Sequence, residues 1–146
     1  MVDPTAHHIG ITVSDLDVAT EFYRSVFDCE TIAEFSVDGD AFATGVDIDN
    51  ARANFVHLAL GSIQLELVAY EPIGDDQPPA DLNDGGATHI GVKVDDVDGF
   101  YESLPESVST LSPPQTTATG TTICFLRDPD GTLIEVLNPN AGGDDS

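Results

Sequence analysis

The sequence predicts an α+β fold built from two tandem βαβββ modules. Three observations lead there. The segment His8-Ile9-Gly10-Ile11-Thr12-Val13 returns as His89-Ile90-Gly91-Val92-Lys93-Val94. After each copy an acidic stretch opens into apolar residues at helical spacing. Each half then closes on a related strand, IQLELV at 63–68 and TLIEVL at 132–137. Repetition on this scale marks a duplicated supersecondary unit.

The first strand alternates with period two, so Ile9, Ile11 and Val13 share a face and His8, Gly10 and Thr12 the other. The apolar set is expected to bury against a helix. SDLD at 14–17 supplies helix-capping chemistry. Leu16, Ala19, Phe22, Tyr23, Val26 and Phe27 then form one helical stripe. Two strands are expected near 31–37 and 54–60. In the closing strand Ile63, Leu65 and Leu67 pack one way, and Gln64, Glu66 and Val68 point the other.

The second half repeats this plan. Ile90, Val92 and Val94 oppose His89, Gly91 and Lys93. DDVD at 95–98 opens a short helix carrying Val97, Phe100, Tyr101 and Leu104, and Pro105 ends it. Strands are expected near 108–111 and 121–127, followed by a DPDGT turn at 128–132. In the last strand Ile134 and Val136 pack one way and Glu135 the other, flanked by Leu133 and Leu137. The modules therefore span 1–70 and 88–139. A Pro-, Gly- and Asp-rich linker at 71–87 joins them, and a disordered acidic tail follows at 140–146.

Bulk properties narrow the function. The 146 residues include no apolar run of membrane-spanning length, and MVDPTAHH lacks the basic and apolar start of a signal peptide. Cys29 and Cys124 show no CxxC spacing and read as free thiols, so a cytoplasmic location is expected. Four basic residues stand against 27 acidic ones, for a net charge of −23. Nucleic acid and anionic membrane surfaces need basic clusters and are excluded as partners; a small-molecule substrate remains. Dispersed acid with so little lysine is how proteins stay soluble in concentrated salt, which points to a salt-loving, archaeal host.

The residues that carry chemistry sit at matched positions. His8 and His89 occupy the same place in the same pleat, facing away from the helices. Glu66 and Glu135 each stand among apolar neighbours in a closing strand, where a carboxylate is costly unless neutralised. One divalent cation would satisfy all four. His7 has the opposite parity and reads as a surface residue. His57 either lines the same face or pairs across the sheet. Gln64 lies on the face of Glu66 and is either a supporting partner there or an edge residue. Lys93 shares the face of His89 and either binds an anionic substrate group or forms an ion pair. Arg52, in the loop DIDNARAN, is a rim candidate for a substrate carboxylate or a plain surface residue. Arg24 and Arg127 read as structural.

HIGITVSDLDVATEFYRSVF, LELV, THIGVKVDDVD and FLRDPDGTLIEVLNP together resemble the vicinal oxygen chelate superfamily over residues 7–139. That superfamily includes glyoxalase I, methylmalonyl-CoA epimerase, extradiol dioxygenases, fosfomycin-resistance enzymes and bleomycin-binding proteins. The resemblance implies mixed sheets curled into a cup around one metal, Zn, Ni, Co, Mn or Fe(II), with His8, Glu66, His89 and Glu135 as ligands. It implies a glyoxalase-like or epimerase-like lyase or isomerase that removes a proton beside a metal-bound carbonyl. Glu135 is the first choice of base and Glu66 the second. Epimerases of this kind usually carry glutamine where this chain has Glu66. The alternatives are an Fe(II) extradiol-type dioxygenase and a non-catalytic antibiotic-binding protein. Relatives form the cup within one chain or across a dimer, and a homodimer is expected.

Overall fold

The structure, a computed structural model, describes residues 2–140. The chain forms two compact units, Met1–Gln77 and Pro78–Ser146. Each carries a four-stranded mixed sheet that is not closed on itself, ordered β1-β4-β3-β2 in the first and β5-β8-β7-β6 in the second. Together with three helices this is the α+β architecture read from the repeat. Of the tail expected at 140–146, residues 141–146 lie outside the described residues.

In the first unit β1 (Ile9–Thr12) runs parallel to β4 (Ile63–Glu71), which pairs antiparallel with β3 (Arg52–Leu60), itself antiparallel to β2 (Glu30–Val37). Helix α1 (Leu16–Phe27) crosses over between β1 and β2. The Asp15 side chain accepts a hydrogen bond from the Val18 amide, which satisfies an N–H the first turn leaves unpaired. Asp28 ends the helix in the left-handed region, φ 56°. The stripe lands as expected: Ala19 and Tyr23 are fully buried, against a helix-side face that includes Ile11, Val13, Leu58, Leu65 and Leu67. Each such leucine contributes roughly 1.5–3 kcal/mol by leaving water. Ile9, expected to bury with Ile11 and Val13, is instead 42% exposed. It is the first residue of an edge strand that has a neighbour on one side alone.

A short helix that the periodicity does not announce, α2 (Asp40–Val46), lies between β2 and β3. Its seven residues, DAFATGV, include a glycine and two β-branched residues, and its N-cap Gly39 has no side chain to cap it. Packing holds it: Phe42 joins Phe55 and Tyr70 in a cluster with Ala53, Val68 and Val37. A further irregularity lies in β2, where the pairing shifts by one residue between Thr31 and Ala33, a β-bulge that leaves Ile32 unpaired and 54% exposed.

The second unit repeats the plan with β5 (His89–Lys93), α3 (Val97–Ser103), β6 (Gln115–Thr116), β7 (Thr122–Arg127) and β8 (Leu133–Asn138). β5 is parallel to β8, and β6–β7 and β7–β8 are antiparallel. Asp96 caps α3 by accepting from the Gly99 amide. Ile90, Val97, Cys124, Leu126, Ile134 and Val136 are buried. The strand expected at 108–111 is reduced to one bridge, Thr110 with Leu126, and the edge strand is the two-residue β6. Pro113 and Pro114 explain the shift, because neither can donate to a ladder. The DPDGT turn closes as read: Asp128 Oδ1 accepts from the amides of Asp130 and Thr132, each at 2.9 Å, and Gly131 takes φ +93°.

Candidate functional site

The site residues emerge from register. In the first unit Gly10 of β1 stands beside Glu66 of β4, and in the second Gly91 of β5 stands beside Glu135 of β8. The duplication thus preserves the pairing phase as well as the residue types. Gly10 leaves room on the side of the sheet on which Glu66 points, whereas a Cβ on Gly91 would meet the Leu137 side chain at 3.9 Å. A Cβ on Gly10 would lie 4.0 Å from Glu66 Oε1 and 3.9 Å from the His8 ring.

Each unit brings its histidine to its glutamate. His8 Nε2 lies 3.4 Å from Glu66 Oε2, and His89 Nε2 lies 3.4 Å from Glu135 Oε1. The carboxylates are the more hidden partners, with side chains 16% and 19% exposed against 35% and 42% for the imidazoles. His8 lies one residue before β1, and its Nδ1 faces His7 Nδ1 at 2.8 Å, which leaves its Nε2 toward Glu66. His7 is therefore a surface residue that also steadies a site histidine.

The two pairs are not identical. In the first unit His57 of β3, directly across from Glu66, approaches the same oxygen more closely, Nε2 to Oε2 at 2.9 Å. Gln64 Nε2 lies 3.2 Å from His57 Nδ1. The His57 ring stacks on His8 at 6.1 Å between centroids and meets the edge of Phe35 at 5.0 Å. At the matching place in the second unit stands Phe125, across from Glu135, and it packs edge-on against His89 at 5.3 Å. His57 thus does pair across the sheet, and in doing so enters the site. The alternation of β3 and β4 placed His57, Gln64 and Glu66 on one face, and that was the available signal.

The remaining candidates fall elsewhere. Lys93 ends β5 on the face of His89 and Glu135, is exposed, and has no ion pair among the described residues. Arg52 is the first residue of β3 rather than a loop residue, and its Nε bonds Glu71 at 3.1 Å with both side chains largely in solvent. It lies on the face opposite His57, about 16 Å along the strand, and lines an open groove of about 830 Å³ with Asp40, Asp47 and Asp49. Arg127 is structural as read: it donates to the carbonyls of Gly131 and Ala80, tying the turn to the linker. Cys29 and Cys124 are free and buried.

Two imidazole nitrogens and two carboxylates suit a borderline divalent ion. Among the described residues no three or more His, Cys, Asp or Glu side chains are gathered in a group fit to hold a metal. Each unit offers two matched donors, and the donor chemistry fits the ion.

Comparison with known proteins agrees with the fold described above. The model of the Glyoxalase/Bleomycin resistance protein/Dioxygenase superfamily matches residues 5–136. A 2-epi-5-epi-valiolone epimerase from Actinomyces sp. is 32% identical over 146 residues, covering 93% of this chain and 80% of the relative. The mitochondrial methylmalonyl-CoA epimerase of Bos taurus is 25% identical over 138 residues, covering 89% and 71%. Among solved structures, a glyoxalase family protein from Bacillus cereus superposes with a TM-score of 0.79 at 18% identity, covering 91% of this chain and 92% of the other.

Proposed function

Because the chain belongs to the Glyoxalase/Bleomycin resistance protein/Dioxygenase superfamily, we propose that it is a divalent-metal-dependent isomerase of the epimerase type, moving a proton at a carbon beside a carbonyl. The observation that carries the reading is the recurrence, at one register in both units, of the same imidazole–carboxylate pair. The epimerase names of two relatives support the reaction class.

In this reading His8, Glu66, His89 and Glu135 hold the ion. When bound, the ion supplies Lewis acidity toward a substrate oxygen, which acidifies the adjacent C–H. The protein's own part is proton transfer and orientation. Glu135 takes the proton as first choice and Glu66 is the second, a contribution of about a hundredfold or more for a positioned carboxylate. Lys93, on the Glu135 face, anchors an anionic group of the substrate. Arg52 is committed to Glu71 and remains a secondary candidate for that task.

The test combines elemental analysis of the purified protein with proton exchange in D₂O. Methylmalonyl-CoA and 2-epi-5-epi-valiolone serve as the thioester and the ketone probe. Loss of the signal of the proton beside the carbonyl, abolished by a chelator and restored by a divalent ion, is the expected result. Stoichiometric metal with no exchange but oxygen uptake on catechols would replace the reading with a dioxygenase. Absence of any bound or acquired metal would replace it with a binding protein.

A further inference from the structure

The two carboxylates are held differently. Glu66 Oε2 receives His57 Nε2 at 2.9 Å. A carboxylate only accepts hydrogen bonds, so the proton of this contact sits on Nε2. On the far side of the ring, Nδ1 faces the Gln64 amide nitrogen, a donor, at 3.2 Å. The ring is therefore set as the tautomer with Nε2–H toward Glu66 and Nδ1 accepting from Gln64. His57 is buried to 12% exposure of its side chain, and Phe35 packs on its edge. The directly cross-strand pair His57 and Glu66, with Gln64 reaching His57 diagonally from two residues before Glu66 on β4, thus forms a relay of fixed donors, Gln64 to His57 to Glu66.

Glu66 Oε1 is left differently. Among the described residues it has no hydrogen-bond donor, and it faces the space kept open by Gly10. One oxygen is committed to the protein and the other is available. Glu135 has no counterpart of this arrangement. The residue across from it is Phe125, which has no donor, and its one polar neighbour among the described residues is His89 at 3.4 Å.

We propose that His57, fixed by Gln64, is a positioning residue that clamps Glu66 by one oxygen and leaves the other free for the ion. The inference rests on the metal-dependent reading above and deepens it by adding a residue that orients one of the ligands. A carboxylate oriented by a neighbouring hydrogen-bond donor holds a metal better, and loss of such a donor typically costs about 10- to 100-fold in affinity.

The experiment uses the full chain and Co(II) alone as the probe, read by its visible absorption during titration. His57→Phe copies the environment of the second unit into the first and is expected to weaken Co(II) about 10- to 100-fold and to alter the spectrum. His57→Gln retains an N–H at a similar reach and is expected to restore affinity and spectrum, which a merely space-filling role for the ring would not do. Equal affinity in His57→Phe and the parent, or equal loss in His57→Phe and His57→Gln, would overturn the clamp. Ring ¹⁵N shifts of the metal-free protein give an arm independent of metal. They should show His57 protonated at Nε2, with this preference lost in Gln64→Leu; an unchanged pattern in that variant also overturns the clamp. If the parent takes up no Co(II) while the ¹⁵N pattern is as expected, the metal reading fails and the hydrogen-bonded clamp stands.

Discussion

Replacing Asp128 with alanine should destabilise the second unit by an amount that can be worked from its contacts. Asp128 is 5% exposed, and its Oδ1 accepts from the amides of Asp130 and Thr132, each at 2.9 Å. Its backbone also closes the turn, with Asp128 N donating to Thr132 O and Gly131 N to Asp128 O. Alanine keeps the backbone bonds and strands the two amides. An unsatisfied buried donor costs about 1–3 kcal/mol. With water reaching part of the turn, about 3 kcal/mol in total is expected. For a chain of this length that corresponds to a fall in Tm of roughly 6–12 °C. Asp128→Asn keeps an acceptor oxygen in place and loses the charge, so about 1 kcal/mol is expected. Thermal melts followed by circular dichroism, with urea unfolding as a second measure, read both variants. An alanine variant within 1 kcal/mol of the parent would show that the carboxylate is dispensable to the turn. An asparagine variant as damaged as the alanine one would show that charge, rather than acceptor geometry, is what the turn needs.

Three other outcomes are expected. Glu135→Gln should lower proton exchange at least about a hundredfold while the variant still takes up metal in an equilibrium titration; full exchange would remove Glu135 from the role of base. The parent protein should melt at markedly higher temperature in molar KCl than in dilute buffer, since a net charge of −23 repels itself until screened; coincident melts would dissociate the composition from salt adaptation. Burial, reinforced for Cys29 by the Asp28 carboxylate, raises both thiols above their ordinary value of 9.0. The unfolded chain therefore releases these protons first, so the thiol contribution to stability is complete below that pH and declines as pH rises through the folded-state titrations. The readouts are urea midpoints across that range and the rate of iodoacetamide labelling, which should be slow until the protein unfolds.

Much of the fold is legible because local chemistry and global need coincide. Asp15 and Asp96 cap the helices they announce, and the α1 stripe buries Ala19 and Tyr23. The DPDGT turn is written in residues that few other backbones would accept. What resists reading is what long-range packing decides. Helix α2 has weak propensity and is held by Phe42 against Phe55 and Tyr70, a contact no local window contains. The edge strand moved from 108–111 to 115–116 because a pair of prolines interrupts a stretch that otherwise has strand character. In the site, the two histidine–glutamate pairs follow from the repeat, since both members occupy equivalent positions. His57 does not repeat, as Phe125 takes its place, so only strand alternation, and not the internal duplication, points to it.

The bulge in β2 has a practical corollary for chain length. Thr31 pairs with Leu58 and Ala33 with His57, so Ile32 is a supernumerary residue with no partner. Excising it would bring its neighbours into uninterrupted pairing while Phe35 still stacks over Phe55. Removing one residue from the regular stretch that follows would invert every later side chain of that strand. Ile32 is thus the position in β2 where shortening by a single residue is expected to be absorbed.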